Sequence, residues 1–203
     1  MGRRQADGEE TKRRIVDKAG QLFAEKGFNA VTMNEICECA TVSKGSLYHH
    51  FPGKDELLLY VLEVDAKQWR QRWEDRRAEL LSTEEQLFLL AEQYANDFQN
   101  PLSKALEEFA RSRVISDEVF KRIWTINDIT LQACRTVIQE GMERGELARG
   151  ELDEKVIIIS SMLEGLGKTY YMYDREKEQD TVKAIYRKAV HLLLDGIRAG
   201  GSC

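Results

Sequence analysis

The stretch from Thr32 to Phe51, TMNEICECATVSKGSLYHHF, decides how this chain folds. Its first half has apolar residues at positions 33, 36, 37 and 40, the spacing of one buried helical face. Thr32 can cap the start of this helix, with Glu35 as the second half of a capping box. Ser43 can cap a second short helix that buries Leu47 and Phe51. The pattern therefore predicts two helices joined by a tight turn.

The exposed side of the second helix has chemistry that suits the major groove of DNA. It offers a cation, small groups, a phenol and an imidazole, at Lys44, Gly45, Ser46, Tyr48 and His49. Side chains at the amino end of a recognition helix reach base edges, so Lys44 can donate to guanine or to phosphate. Ser46 can bond a base or a phosphate, Tyr48 a phosphate, and His49 a base or the backbone. The alternative is a solvated helix face with no ligand.

The run from Val42 to Phe51 resembles the helix-turn-helix of the tetracycline-repressor (TetR) family. Flanking residues keep the register of that family, namely Ile15, Ala19, Phe23, Gly27, Phe28, Ile36 and Ala40 before the run and Lys54, Asp55, Glu56 and Leu57 after it. The resemblance covers residues 9–60. It implies a DNA-binding domain at residues 1–54, with its motif at about 32–51, and a helical domain for effector binding and dimerisation at residues 55–203.

The same resemblance implies which residues contact DNA. They are Thr32, Ser43, Lys44, Gly45, Ser46, Tyr48, His49 and Lys54, with Thr32 and Lys54 holding phosphates on either side of the motif. Two positions depart from the family pattern. Thr41 stands where the turn usually has glycine, which is costly if that position needs a positive φ. Cys37 replaces a small alanine and should fill a tight contact between helices.

Composition predicts an all-α fold of about nine helices. The 203 residues contain only two prolines, Pro52 and Pro101, and so few helix breakers favour long helices. The first helix should run from about residue 9 to 26, end at Gly27 and follow a frayed terminus. The next long helix should begin near Lys54. Further helices are expected at about 83–99, 102–114, 117–144, 153–174 and 178–198.

Charge is unevenly distributed along the chain. The whole sequence has a net charge of −5, but residues 1–54 have a net charge of +2 and the remainder −7. A local basic surface can bind phosphate while the rest of a protein stays acidic. The basic excess is small, so charge alone would not have indicated DNA.

Cysteine usage and hydropathy indicate a cytoplasmic protein without a membrane span. The four cysteines form no framework of pairs, no signal peptide is visible, and apolar runs such as residues 156–159 are far too short to span a bilayer. A metal site is not expected, because Cys37 and Cys39 lie on different sides of a helix and lack the usual spacing. A thiol sensor at Cys39 or Cys134 is an open alternative.

The region after residue 54 offers candidates for ligand binding and dimerisation. Five aromatic residues could line a cavity or form ordinary core: Tyr94, Phe98, Phe109, Trp124 and Tyr170. The last two long helices, about 153–174 and 178–198, have wide apolar stripes that predict a homodimer interface. Gly165 and Gly167 would allow close helix approach, although each costs roughly 1 kcal/mol relative to alanine.

Together these features predict a DNA-binding transcriptional regulator. The resemblance implies a repressor that a small-molecule effector releases from a palindromic operator, with no cofactor. The alternatives are an effector-independent regulator or an activator. Catalysis is not expected, because no glycine-rich phosphate loop follows a strand and no nucleophile elbow is present.

Overall fold

The computed structural model of the protein describes residues 2–77, 82–97, 100–112, 114–173 and 179–197. These residues form α-helices joined by short connections, and the all-α prediction is confirmed. The helices are α1 Gly2–Ala30, α2 Met33–Ala40, α3 Lys44–His50, α4 Lys54–Arg77, α5 Thr83–Asp97, α6 Pro101–Arg111, α7 Asp117–Glu143, α8 Leu152–Tyr173 and α9 Gln179–Ile197. Among them, no helix is long and apolar enough to cross a bilayer.

The first helix differs from the expectation at its start. Residues 1–8 were expected to be frayed, but α1 is helical from Gly2, so that expectation was wrong. No proline lies in this segment, and the Thr11 hydroxyl donates to the Asp7 carbonyl at 2.8 Å within the helix. The expected stop at Gly27 is confirmed, because Gly27 has φ 78 and ψ 173 and interrupts the helical geometry there.

The chain divides into two compact units. The first contains Met1–Ala66 and Asn100–Ile126, and the second contains Lys67–Gln99 and Asn127–Cys203. These packing units differ from the functional division at residues 54 and 55, which stays a prediction. In the first unit α6 packs along α1, and Asn100, which caps α6, also donates to Asp65 of α4 at 2.7 Å.

The core of the first unit combines apolar residues of α1, the helix-turn-helix, α4 and α6. Its fully buried residues include Ile15, Ala19, Phe23, Ile36, Leu47, Leu57, Leu58, Ala105 and Phe109. The rings of Phe28 and Phe109 pack edge to face, 5.2 Å apart. The core therefore joins α6 to the amino-terminal helices.

The core of the second unit is formed by α5, α7, α8 and α9 with the end of α4. Trp69, Trp73, Leu90, Val137, Leu163 and Tyr186 are among its buried members. Gln93 donates to the Trp69 carbonyl at 2.8 Å, which fixes α5 against α4. Burial of apolar surface on this scale is the main force that stabilises such a bundle.

Candidate nucleic-acid interface

The helix-turn-helix is fixed by capping at both of its helices. Thr32 accepts the Glu35 amide at 3.2 Å at the start of α2, and Ser43 accepts the Ser46 amide at 3.1 Å at the start of α3. Each cap satisfies a backbone donor that the helix itself cannot pair. The two caps predicted from sequence are therefore present.

The turn between the helices uses a left-handed residue. Thr41 has φ 52 and ψ 53. Two backbone hydrogen bonds close the turn, one from the Thr41 amide to the Glu38 carbonyl and one from the Val42 amide to the Cys37 carbonyl. The sequence left open whether a β-branched residue would avoid this geometry. The structure shows that the turn retains it with threonine in place.

The recognition helix α3 buries one side and leaves the other open. Leu47 is fully buried, whereas Lys44, Gly45 and His49 are exposed and Tyr48 retains 50% of its exposure. Apart from the helix backbone and the chain neighbours of Gly45, the Ser43 hydroxyl is the only described group within 4 Å of the point where a Gly45 side chain would begin. The exposed residues therefore form an unobstructed helix face with a cation at its amino end.

Three of the predicted DNA-contact residues, Thr32, Ser43 and Lys54, have other partners in the structure. Thr32 and Ser43 use their oxygens as caps, but each hydroxyl still has a proton to donate. Ser46 is half-buried beside the Ser43 cap. Lys54 donates to the carbonyls of Phe28 and Val31, at 2.8 Å in each case.

The two adjacent histidines at the end of α3 differ in their surroundings. Their rings lie edge to face, 5.4 Å apart, with His49 exposed and His50 half-buried. Burial lowers the pKa of His50, and the nearby His49 and Lys12 act in the same direction. The neutral imidazole of His50 is therefore favoured at neutral pH, and the exposed His49 is the one open to solvent.

Sequence reasoning missed two contacts that hold this region. Lys26 of α1 forms an ion pair with Glu35 of α2, and this contact lowers the pKa of Glu35 and raises that of Lys26. The Lys12 ammonium lies 4.1 Å from the centre of the Tyr60 ring. Both contacts join residues of different helices, so the spacing within one helix could not reveal them.

A shallow depression adjoins the recognition helix. It is lined by Asn34, Cys37, Glu38, Thr41, Val42 and Lys44. The four-residue spacing of Asn34 and Glu38 could have placed both on the side of α2 that shares this depression. Cys37 is buried, as expected of a residue that fills a contact between helices, while Cys39 is exposed.

The aromatic residues predicted to bind a ligand lie in different places. Tyr94 packs edge to face with Trp69 at 5.6 Å in the second unit, and Tyr170 packs against the same core. Phe109 is buried against Phe28 in the first unit, and Trp124 retains 52% of its exposure. Phe98 lies outside the described residues.

Tyr94 has the most unusual environment of these aromatics. Its hydroxyl is buried near the Thr130 side chain, although the described residues place no group in full hydrogen-bonding geometry with it. Burial raises the pKa of this phenol above its ordinary range. A buried polar group without a partner is uncommon in proteins and is often explained by a ligand or water.

Two family models together match almost the whole chain. The model of the tetR family of bacterial regulatory proteins matches residues 15–61, and the model of the QacR-like protein C-terminal region matches residues 65–199. The HTH-type transcriptional regulator QacR of Staphylococcus aureus strain Mu50 is 25% identical over 156 residues, which is 76% of this chain and 83% of QacR.

Solved structures share the fold. The transcriptional regulator FadR of Bacillus subtilis in complex with stearoyl-CoA is 21% identical, with a TM-score of 0.75, over 92% of this chain and 99% of FadR. A TetR-family transcriptional regulator of Pectobacterium atrosepticum is 19% identical, with a TM-score of 0.70, over 97% of this chain and 98% of its own. At these identities the likeness establishes the fold alone.

Proposed function

Because this chain belongs to the TetR family of bacterial regulatory proteins, whose members are DNA-binding transcriptional regulators and not enzymes, we propose that it is a repressor controlled by a small molecule. A homodimer binds a palindromic operator in the cytoplasm. An effector bound among the carboxy-terminal helices releases it.

The exposed face of α3 is the observation that carries the DNA-binding part. Lys44, Gly45, Tyr48 and His49 are open to solvent, while Leu47 anchors the helix in the core. Two such helices in a dimer would enter successive major grooves about 34–36 Å apart. A palindromic operator matches that two-fold symmetry.

We assign the DNA contacts by the chemistry of each group. Lys44 and His49 are placed to reach base edges or phosphate, and Tyr48 to reach phosphate. Thr32, Ser43 and Ser46 have hydroxyls that can donate to phosphate while their oxygens serve the local backbone. Gly45 permits close approach because nothing but the Ser43 hydroxyl lies near its Cα hydrogens.

The effector site is proposed in the second unit, around Tyr94 and Tyr170. The buried Tyr94 hydroxyl and the Trp69 ring beside it favour a largely apolar or aromatic molecule with one hydrogen-bonding group. FadR was solved with stearoyl-CoA, but the effector class is inferred here from the residues of this chain. Ligand contacts by Phe98, Phe109 and Trp124 remain predictions.

The dimer interface is proposed on α8 and α9. Ile157 and Ile158 of α8 retain 64% and 62% of their exposure, and Leu192 of α9 retains 75%. Gly165 is two turns beyond the two isoleucines, and among the described residues nothing outside its own helix backbone and its chain neighbours lies within 4 Å of the position of a Cβ there. An exposed apolar stripe of this kind is typical of a surface that a partner covers.

Helix α4 offers the means by which an effector could release DNA. It contributes Lys54, Leu57 and Leu58 to the first unit and Trp69 and Trp73 to the second. An effector that binds one position of α4 more tightly would shift the population of the dimer toward that position. The separation of the two recognition helices would then no longer fit the operator.

Footprinting tests the DNA-binding part. The probe is the DNA upstream of the chain's own gene, together with fragments that the wild type selects from a genomic pool. We expect a protected palindromic site and at least tenfold weaker binding by the Lys44→Ala, Tyr48→Phe double variant. Lys121→Ala on α7 is the matched control, because Lys121 is exposed and lies outside both α3 and the proposed dimer interface, and it should bind as the wild type does. Equal binding by the double variant would rule out these contacts.

A screen of small molecules tests the effector part. Molecules that release the wild-type protein from its selected DNA are titrated again with Tyr94→Phe, which keeps the ring and removes the hydroxyl. We expect unchanged DNA affinity and at least a fivefold higher effector concentration for release. If no molecule in a broad apolar panel releases the protein, the effector-independent regulator becomes the better description.

A further inference from the structure

A short connector, defined as residues 27–31, joins the regular part of α1 to the helix-turn-helix. It begins at Gly27, whose φ of 78 and ψ of 173 lie in a region that is almost exclusive to glycine. It ends at the Thr32 cap of α2. Its conformation therefore sets the direction in which α2 and α3 leave α1.

Lys54, the first residue of α4, holds this connector. Its ammonium donates to the carbonyls of Phe28 and Val31 and lies 4.2 Å from the centre of the Phe28 ring. Carbonyls at the end of a helix attract cations because they lack intrahelical partners and carry partial negative charge. If Lys54 turned to a phosphate, both carbonyls would lose this donor.

Glu108 of α6 holds the same connector through its amides. Its carboxylate accepts the Asn29 amide at 3.2 Å. Both carboxylate oxygens lie 2.5 Å from the position that a Cβ at Gly27 would occupy, so the carboxylate sits where only glycine leaves room. The next residue of α6, Phe109, packs on the Phe28 ring.

We propose that Lys54 and Glu108 are positioning residues for DNA recognition, which set the direction of the helix-turn-helix by holding the connector. Lys54 acts through the carbonyls of Phe28 and Val31 and not as a phosphate ligand, in contrast to the role implied by family resemblance. Glu108 makes α6 a part of the DNA-reading unit. The proposal rests on the proposed DNA-binding role of α3 and is independent of the effector.

The salt dependence of binding distinguishes positioning from phosphate contact. Each phosphate contact contributes about −0.9 to the slope of log affinity against log salt concentration. Affinities are measured over a range of KCl for a random-sequence duplex and for a duplex that the wild type selects from a random library. The ratio of the two affinities reports specificity and is insensitive to the active fraction of each preparation.

For Lys54→Met we expect the wild-type slope and at least a tenfold lower ratio. Loss of a positioning residue would misalign α3 on the selected site and leave the number of phosphate contacts unchanged. A slope smaller in magnitude by about 0.9 per protomer would show a phosphate contact and overturn the assignment. An unchanged ratio would overturn it as well. Lys121→Met on α7 is the matched control, because Lys121 is exposed and lies outside both α3 and the proposed dimer interface, and it should leave slope and ratio unchanged.

Glu108 is tested by a pair of variants. Glu108→Gln keeps an oxygen that can accept the Asn29 amide, so we expect the wild-type ratio. Glu108→Ala removes the acceptor, so we expect at least a fivefold lower ratio at an unchanged slope. Equal ratios in the alanine variant and the wild type, or equal losses in both variants, would overturn the role of Glu108. If the wild type binds neither duplex, the DNA-binding role of α3 fails and the proposal fails with it.

Discussion

At the scale of single residues, Thr41 shows how the motif tolerates an unfavourable choice. A left-handed backbone costs a residue with a Cβ about 1–2 kcal/mol, a cost that glycine avoids. The departure at this position was visible in the sequence, but the resulting geometry was not. The geometry of Thr41 depends on how the buried faces of α2 and α3 pack together, which the local sequence does not specify.

We predict that Thr41→Gly stabilises the protein. Relief of the left-handed strain should outweigh the added freedom of the unfolded chain, which leaves a gain of roughly 0.5 kcal/mol in the free energy of unfolding. Urea denaturation followed by circular dichroism measures the change. Thr125→Gly in the interior of α7 is the control and should destabilise by a similar amount. A loss of stability in Thr41→Gly would contradict the prediction.

The cysteines also behave as individual residues. Cys134 is buried, and its burial raises the pKa of the thiol from its ordinary value to about 12. Cys39 is exposed on α2. Because the thiolate is the reactive form, these environments give the two candidate sensor thiols different access to oxidants and alkylating agents.

We predict that iodoacetamide at pH 8 modifies Cys39 in the folded protein and leaves Cys134 unmodified. Site-resolved mass spectrometry measures the extent of reaction at each residue. In guanidinium chloride Cys134 should react as readily as Cys39. The raised pKa of Cys134 also means that its contribution to stability is complete below pH 9 and is lost as the pH rises toward 12. Native labelling of Cys134 at the rate of Cys39 would contradict the prediction.

At the scale of helices, the sequence predicted most of what the structure contains. Proline, glycine and capping residues located the ends of α2 and α3 and the start of α4, and the expected bounds of α7, α8 and α9 lie within about a residue of the observed ones. The start of α1 was missed because a polar, charged terminus has no strong breaker and no apolar stripe to mark it. The Glu108 contact with the connector was missed because it joins residues 79 positions apart.

Two glycines of α1 allow the same substitution to be compared in opposite settings. We predict that Gly27→Ala lowers the free energy of unfolding by about 2–4 kcal/mol, because the backbone is strained and the Glu108 carboxylate must move. Gly8→Ala should be neutral or stabilise by up to about 1 kcal/mol, because its surroundings are open and alanine favours helix. Urea denaturation of both variants measures the difference. Effects of equal sign would show that the connector geometry is not constrained as described.

At the scale of the whole molecule, the sequence predicted the fold class, the family and the candidate recognition helix. Three features of the recognition motif could be predicted because each depends only on local sequence. They are the capping spacings, the buried positions and the exposed residues between them. The effector and the operator could not be predicted in the same way, because their recognition depends on how side chains from several helices meet. The role of Lys54 shows this at one position, since its long side chain can reach either phosphate or carbonyl.

We predict that Ile158→Glu converts the protein from dimer to monomer at micromolar concentration. The substitution would place a carboxylate of each copy within the apolar face proposed for the interface on α8 and α9. Sedimentation velocity measures the state. The matched control is Val114→Glu, since Val114 retains 97% of its exposure outside those two helices. A wild-type monomer, or an Ile158→Glu dimer, would contradict the proposed interface.

The composition of the first packing unit has a consequence for engineering. That unit is discontinuous in the chain, because it combines the amino-terminal helices with residues 100–126. A hybrid regulator made by cutting between residues 54 and 55 would combine residues 1–54 with the α6 of another protein. That α6 would lack the partners of Asn29 and Phe28. A graft that transfers residues 100–126 together with residues 1–66 keeps both contacts, and is the exchange most compatible with this structure.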